Sequence, residues 1–346
     1  MKTSLFDYHL HEGLIANSSI SPRDHSKLMV INRNTGEIKH KHFYNIVEYL
    51  TENDVLVLND TKVFPARIFG QKETGGKVEI LLNKSIDEFT WEALCKPGIK
   101  TGTKLIFGEF NAEVIDRDSE IHILKFSITK NNLLEKLQKV GVTPLPPYIH
   151  SSEKESSIRK KYQTTYAKDF GSVAAPTAGF HFTKELLEKI KDKGVKIEYV
   201  TLHVGLGTFM PIKTDRLEDH IMHSEEFFID HKTIERLKKY KEENKRIISV
   251  GTTATRALES VANGNTNGST DIFIKPPYKF KYVDALITNF HLPKSTLLAL
   301  VSAFVCYPNT KNKFKDFGST IAGKAYNEAI KDKYRFYSFG DSMMIY

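Results

Sequence analysis

The chain has 346 residues, 40% of them apolar and 27% charged, enough for two ordinary domains or one large one with a real core. Its two cysteines, Cys95 and Cys306, exclude a disulfide framework or a Cys-rich metal site, and its longest apolar run, 296–306, is about half of the ~20 residues a membrane helix needs. The net charge of +8 favours phosphate-rich partners, although a lysine-rich composition alone produces the same balance.

The first residues carry Asp7, His9, His11 and Glu12 where a signal peptide would be apolar, so a cytoplasmic address without a membrane is expected. Residues 1–55 read as α/β. From 55 to 129 the pattern is β, with runs at 55–58, 66–71, 77–82, 89–95, 103–107, 112–115 and 121–127. Gly75-Gly76, Pro97-Gly98 and Asp116-Arg117-Asp118 separate some of them as turns. Strands at this spacing with little helix between them predict a small antiparallel barrel. A helix over 133–140 and the rigid stretch Pro144-Leu145-Pro146-Pro147 close it. Residues 151–161 are polar without an apolar period and are expected to be a mobile junction, with Arg159, Lys160 and Lys161 a weak RNA-contact signal. From 162 onward strands (172–175, 195–204, 246–250, 284–288) alternate with helices. Thr183 caps a helix to 193 that Gly194 stops, Asp230 caps one to 244, a third covers 253–262, and Ser295 caps one to 306. The expected architecture is an α/β main domain, discontinuous over 1–60 and 155–346, with a small antiparallel β-barrel domain inserted at 61–154. No coiled-coil pattern appears, so a monomer is expected.

Five segments combine Gly, His, Thr and Pro in loops that follow apolar strands, where open α/β sheets bind ligands. In 173–183, small residues that include Thr177 and Gly179 let a ligand approach the backbone, and His181 lies near a helix start; a plain tight turn explains the same residues. In 201–209, His203, Gly205, Gly207, Thr208 and Phe209 suit backbone contact with a nucleoside; the alternative is a β-bulge. His220, His223 and Glu225 fit acid/base work better than a metal, since the spacing is not that of a zinc helix. Gly251, Thr252, Thr253 and Arg256 form an anion cradle at a helix start, or an ordinary cap with a surface arginine. Asn289 and His291 could read a base edge and shuttle a proton, or merely cap a loop.

The runs LVLNDTKVFPARIFG, TGGKVEILL, PLPPYI, YQTTYA, VAAPTAGFHFT, TLHVGLGTF, HSEEF, VGTTATRALES, TNFHLPKSTLLALVSAF and YRFYSFGD resemble the S-adenosylmethionine:tRNA ribosyltransferase-isomerase family of queuosine biosynthesis, in order and over nearly the whole chain. The resemblance implies transfer and isomerisation of the ribosyl group of S-adenosylmethionine onto 7-aminomethyl-7-deazaguanine, at the wobble position of tRNA with a GUN-type anticodon. The products are epoxyqueuosine-tRNA, adenine and methionine. It implies no metal and no resident cofactor, S-adenosylmethionine being a consumed co-substrate.

Such a reaction needs a base for the carbon beside the sulfonium, an acid for departing adenine, and a dry pocket. The catalytic candidates are His181, His203, His223, His291, Glu225 and Asp60. Asn59, Arg67, Thr177, Gly179, Gly205, Gly207, Thr208, Thr252, Thr253, Arg256 and Asn289 are the binding candidates, and Tyr278, Phe290 and Phe180 are possible stacking platforms. The chain departs from the family pattern at Pro276-Pro277 and over a long 307–320 segment, and matches it poorly over 17–23. The competing readings are a non-catalytic tRNA-binding protein and an RNA methyltransferase, the latter lacking a G-x-G-x-G loop.

Overall fold

The computed structural model describes residues 1–149, 151–205, 207, 211–262, 264 and 267–346. Strands from the first 60 residues and from the second half build a mixed sheet of nine strands among the described residues. These are β1 (Lys27–Ile31), β2 (Ile38–His42), β3 (Asp54–Asn59), β12 (Lys196–Leu202), β13 (Glu225–Phe228), β14 (Arg246–Val250), β15 (Asn267–Thr270), β16 (Ala285–Asn289) and β17 (Ser342–Ile345). Their order is β15-β13-β12-β3-β14-β16-β17-β1-β2, and β12, β3, β14 and β16 are mutually parallel. Central strands read as unbroken apolar runs because both faces are covered. On β3, Val55 and Val57 join one buried cluster while Leu56 and Leu58 join another, as the pleat requires. The first cluster packs α5 (Gly251–Ala262), α6 (Thr296–Phe304) and α7 (Ile321–Lys331); the second packs α3 (Lys184–Asp192) through Leu186, Leu187 and Ile190. Ile234 and Leu237 of α4 (His231–Glu242) dock into the first.

The barrel is closed in the order β10-β7-β6-β5-β8-β9, every pair antiparallel. Its strands are β5 (Arg67–Lys72), β6 (Lys77–Ser85), β7 (Thr90–Lys96), β8 (Lys104–Ile106), β9 (Asn111–Asp118) and β10 (Ile121–Phe126). Alternate residues such as Val78, Ile80 and Leu82 fill the interior, and α1 (Lys130–Val140) adds Leu133 and Leu137. Where the chain passes between the domains, β4 (Thr61–Val63) pairs in parallel with β11 (Asp169–Ser172).

Thr183 and Ser295 cap their helices as expected, accepting from the Leu186 and Leu298 N–H groups. Asp230 stands at the start of α4 without a side-chain cap bond. Other expectations need correcting. The strand expected at 172–175 is displaced to Asp169–Ser172, because Val173–Ala175 is buried by packing and not by pairing. The first 55 residues hold two strands and short 3₁₀ turns but no α-helix. The polar 151–161 segment contains a helix, α2 (Glu155–Lys161). Arg159 fastens it by donating to the Gln138 and Gly141 carbonyls at 2.8 Å each, and Arg23 meets its C-terminal carbonyls at Lys160 and Lys161. Charge that reads as solvated in sequence is here spent on backbone oxygens.

The two departures from the family pattern touch each other. The Asn309 side chain donates to the Tyr278 carbonyl at 2.7 Å and accepts from the Phe280 N–H at 3.2 Å. Glu259 of α5, fully buried, accepts from the N–H groups of Lys281, Tyr282 and Val283 and from the Tyr278 hydroxyl.

Candidate active site

The parallel strands β12, β3, β14 and β16 deliver their C-terminal ends to one edge of the sheet. The loops that leave that edge carry the segments singled out above: Asp60 after β3, His203 and Gly205 after β12, Gly251–Thr253 after β14, and Phe290–His291 after β16. This is where an open α/β sheet offers backbone groups not used by its ladder. Two cavities lie there. The larger, about 510 Å³, is walled on one side by the barrel residues Asn83, Lys84 and Trp91 and on the other by His203, Gly205, Gly207, His223 and Glu225. The smaller, about 50 Å³, lies over the start of α5 between Thr177, Thr252, Thr253, Asn289 and His291. Val204 lines both, so they adjoin.

His203 is held by a chain of hydroxyls. Its Nδ1 is 2.8 Å from Thr61 Oγ1, which is 2.7 Å from Ser172 Oγ, which accepts the Val204 N–H at 2.7 Å. The ring lies against Gly171, where any Cβ would collide with it. Its Nε2 makes no hydrogen bond among the described residues. Burial pushes the His203 pKa below its ordinary value, with Glu226 and Asp169 acting in the opposite direction, so the ring is neutral at pH 7 and able to accept a proton. His223 is exposed on the same lining and packs on Gly207, which has no room for a Cβ.

The small cavity is built by a turn that glycine permits. Gly251 has φ +87°, which lets β14 run straight into α5, and the first residues of that helix line the opening. Thr253 Oγ1 is buried there without a hydrogen-bond partner among the described residues, while Asn289 Nδ2 donates to the Tyr337 carbonyl at 3.0 Å and the same side chain hydrogen-bonds His181. A buried polar atom left open in a cavity at a helix N-terminus marks a place for a polar ligand. His291 Nε2 lies 2.8 Å from Thr288 Oγ1, and burial depresses its pKa to about 3, so it stays neutral.

Several candidates stand elsewhere. His181 is stacked on Phe43 at 4.9 Å, bonded through Nδ1 to Ser26 Oγ at 2.7 Å, and lines neither cavity. Burial, reinforced by Arg335 and partly offset by Asn289, brings its pKa to about 3. Asp60 accepts from Thr201 Oγ1 at 2.7 Å; burial raises its pKa, against that bond, and it too lies outside both cavities. Asn59 spends its amide on the Leu202 N–H and C=O, extending the β3–β12 ladder by one step. Arg67 lies in β5 and pairs with Glu79 of β6. Gly179 is pressed against the Tyr166 hydroxyl. Arg256 and Glu225 form a buried ion pair, and Glu225 also accepts the Gly205 N–H at 3.0 Å. The arginine expected to grip an anion therefore braces the wall of the larger cavity. Phe180 and Phe290, expected as stacking platforms, are 3% and 0% exposed and belong to the core; Tyr278 is bonded to Glu259. Thr208 and Phe209 lie outside the described residues.

Sequence reading missed the barrel wall and the Thr61–Ser172 relay. The single tryptophan, Trp91, was the available signal, but nothing local says which sheet a barrel strand will face. Among the described residues, one group of potential metal ligands comes together: His40, Glu328 and Asp332, within 4.8 Å. It is a surface cluster in which His40 Nε2 bonds Glu328 Oε1 at 2.6 Å.

Comparison with known proteins adds to this geometry. The family model described as "Queuosine biosynthesis protein" matches residues 3–345. A curated protein of Thermosipho melanesiensis named S-adenosylmethionine:tRNA ribosyltransferase-isomerase is 50% identical over 354 residues, covering all of both chains. One of the same name from a Sulfurihydrogenibium species is 50% identical over 350 residues, again covering all of both. The crystal structure of an S-adenosylmethionine tRNA ribosyltransferase from Thermotoga maritima is similar, with a TM-score of 0.56 and 38% identity over 99% of this chain and 100% of that one.

Proposed function

The chain belongs to the queuosine biosynthesis protein family, and on that footing we propose how its residues divide the reaction. It is an S-adenosylmethionine:tRNA ribosyltransferase-isomerase. It moves the ribosyl group of S-adenosylmethionine onto 7-aminomethyl-7-deazaguanine in tRNA and isomerises it, leaving epoxyqueuosine-tRNA, adenine and methionine. The tRNA is one with a GUN-type anticodon modified at the wobble position. The enzyme acts in the cytoplasm as a monomer, with S-adenosylmethionine consumed and no resident cofactor.

The amino-acid end of S-adenosylmethionine sits in the small cavity. Its carboxylate meets the Thr252 and Thr253 N–H groups at the start of α5, and its ammonium donates to Thr253 Oγ1. The sulfonium and the 5′ carbon then lie at the junction marked by Val204, and the modified base occupies the larger cavity, whose size suits a nucleoside-sized group. His203 is the base. Its Nε2 takes a proton from the 5′ carbon, and the electron pair left on carbon is stabilised by the adjacent sulfonium. His223 carries the proton that lets adenine leave as a neutral base. The C5′ electron pair expels the ring oxygen from C4′, and that oxygen becomes a carbonyl on C1′ as adenine leaves. The aminomethyl nitrogen, losing a proton, bonds to C4′, and the pair returned to C5′ closes the ring onto C1′. The resulting alkoxide displaces methionine from C5′ to form the epoxide, the C–S electrons leaving on sulfur. Asp60, Asn59, His181 and Arg256 keep the frame in place.

The observation that carries this reading is the full-length family match together with the gathering of the motif loops around two adjoining cavities. The test is turnover of S-adenosylmethionine with an anticodon stem-loop bearing 7-aminomethyl-7-deazaguanine, read by mass spectrometry. Free adenine together with a heavier stem-loop is the expected result. Release of S-adenosylhomocysteine would instead point to methyl transfer, and an unchanged stem-loop to binding alone.

A further inference from the structure

Phe170 of β11 is 41% exposed. It stands on the rim shared by the larger cavity and an open concavity of about 460 Å³ outside it, lined by Lys62, Glu155, Arg159, Lys160 and Gln163. Lys62, its partner in the β4–β11 pair, lies with Nζ 4.3 Å above the ring. The other charges of the concavity are already committed. Glu155 accepts from Thr143 Oγ1 and Arg159, and Arg159 is bonded to two carbonyls. Lys62 and Lys160 make no salt bridge among the described residues. A half-exposed ring with one ammonium over its face and a second in the same concavity, neither tied to a carboxylate among the described residues, at the mouth of a cavity large enough for one nucleobase, has the chemistry of a single-stranded nucleic-acid platform.

We infer that this concavity is the docking surface for the anticodon loop: Lys62 leaves the ring face to meet, with Lys160, the flanking phosphates, and a base adjoining the one in the cavity stacks on Phe170 in its place. The inference rests on the function proposed above. Stacking is tolerant of base identity, so the platform holds the loop while the cavity reads the modified base. Ile221, 86% exposed, also lines the larger cavity.

The test is equilibrium binding of an anticodon stem-loop to the full chain across a salt series, for wild type, Phe170→Ala, Phe170→Tyr, Lys62→Ala and Lys160→Ala. Phe170→Ala should weaken binding about tenfold, and Phe170→Tyr should restore it. Each lysine variant should flatten the log-affinity against log-salt slope by about 1. Unaltered affinity in Phe170→Ala, or unaltered slopes in both lysine variants, overturns the inference. Should Phe170→Ala fail to fold, the lysine slopes decide it. A wild-type chain that binds and converts the stem-loop while these variants behave like it defeats only this inference. A wild-type chain that binds no stem-loop defeats the function on which it rests.

Discussion

His203 differs from the buried histidines His181 and His291 in being half-buried on the wall of the larger cavity. His203 has one nitrogen tied to Thr61 and the other unbonded on a cavity wall. His203→Ala should therefore lower kcat by about 10²–10⁴-fold with little change in melting temperature, as expected for loss of a general base. Because burial lowers its pKa, the base stays unprotonated through neutrality, so kcat/KM should be flat near pH 7 and fall only on the acid side of 6.5. A decline centred above pH 7 would remove His203 from the role. His181 and His291 are depressed to about 3 from 6.5, so the unfolded chain binds protons before the folded one does. Their contribution to stability is intact above pH 6.5 and is lost progressively as pH falls from 6.5 towards 3. Urea midpoints measured across that window should fall, and His291→Gln should fall less steeply. Arg256→Ala leaves Glu225 buried without its cation and should cost about 3–5 kcal/mol, read from denaturant unfolding.

Among the elements, α5 does the most. Gly251 lets it begin at the last residue of a parallel strand, its first turn forms the floor of the small cavity, and Glu259 two turns later anchors a loop. That loop contains Pro276-Pro277, where the chain departs from the family pattern. Proline supplies no N–H, and the donors that follow it at Lys281, Tyr282 and Val283 converge on one carboxylate. Glu259→Gln exchanges an acceptor oxygen for a donor in front of those N–H groups. It should destabilise the protein by about 1–3 kcal/mol and speed hydrogen exchange at 281–283 before elsewhere. Unchanged exchange there would mean that Asn309, on the other side of the loop, holds it alone.

Seen as a whole, the molecule places its larger cavity between two independently cored bodies, the barrel and the sheet. One ion pair crosses it among the described residues, Lys84 to Glu226 at 3.7 Å, with side chains 32% and 49% exposed. A pair so solvated contributes at most about 1 kcal/mol. Lys84→Ala should shift the melting temperature by no more than about 4 °C, and a larger drop in a thermal scan would show that this contact locks the two walls.

The repertoire of elements was legible in the chain because local signals specify it. Alternating apolar runs gave the barrel strands to within a few residues, Thr183 and Ser295 marked two helix starts, and the strand at Arg246–Val250 needed no adjustment. The loops that leave the carboxyl edge of the sheet were legible too, as Gly, His and Thr following buried strands. Pairing was not. How His203 is held on the cavity wall depends on Thr61 and Ser172, 142 and 111 positions from their partners His203 and Thr61. Whether Arg256 meets a ligand or Glu225 depends on β13 and α5 meeting at the end of the sheet. Periodicity reports which side of an element is buried but not what it is buried against. Long-range neighbours are set by how the layers stack, and at this site stacking turned expected ligand contacts into braces and brought in a barrel wall that no local pattern announced.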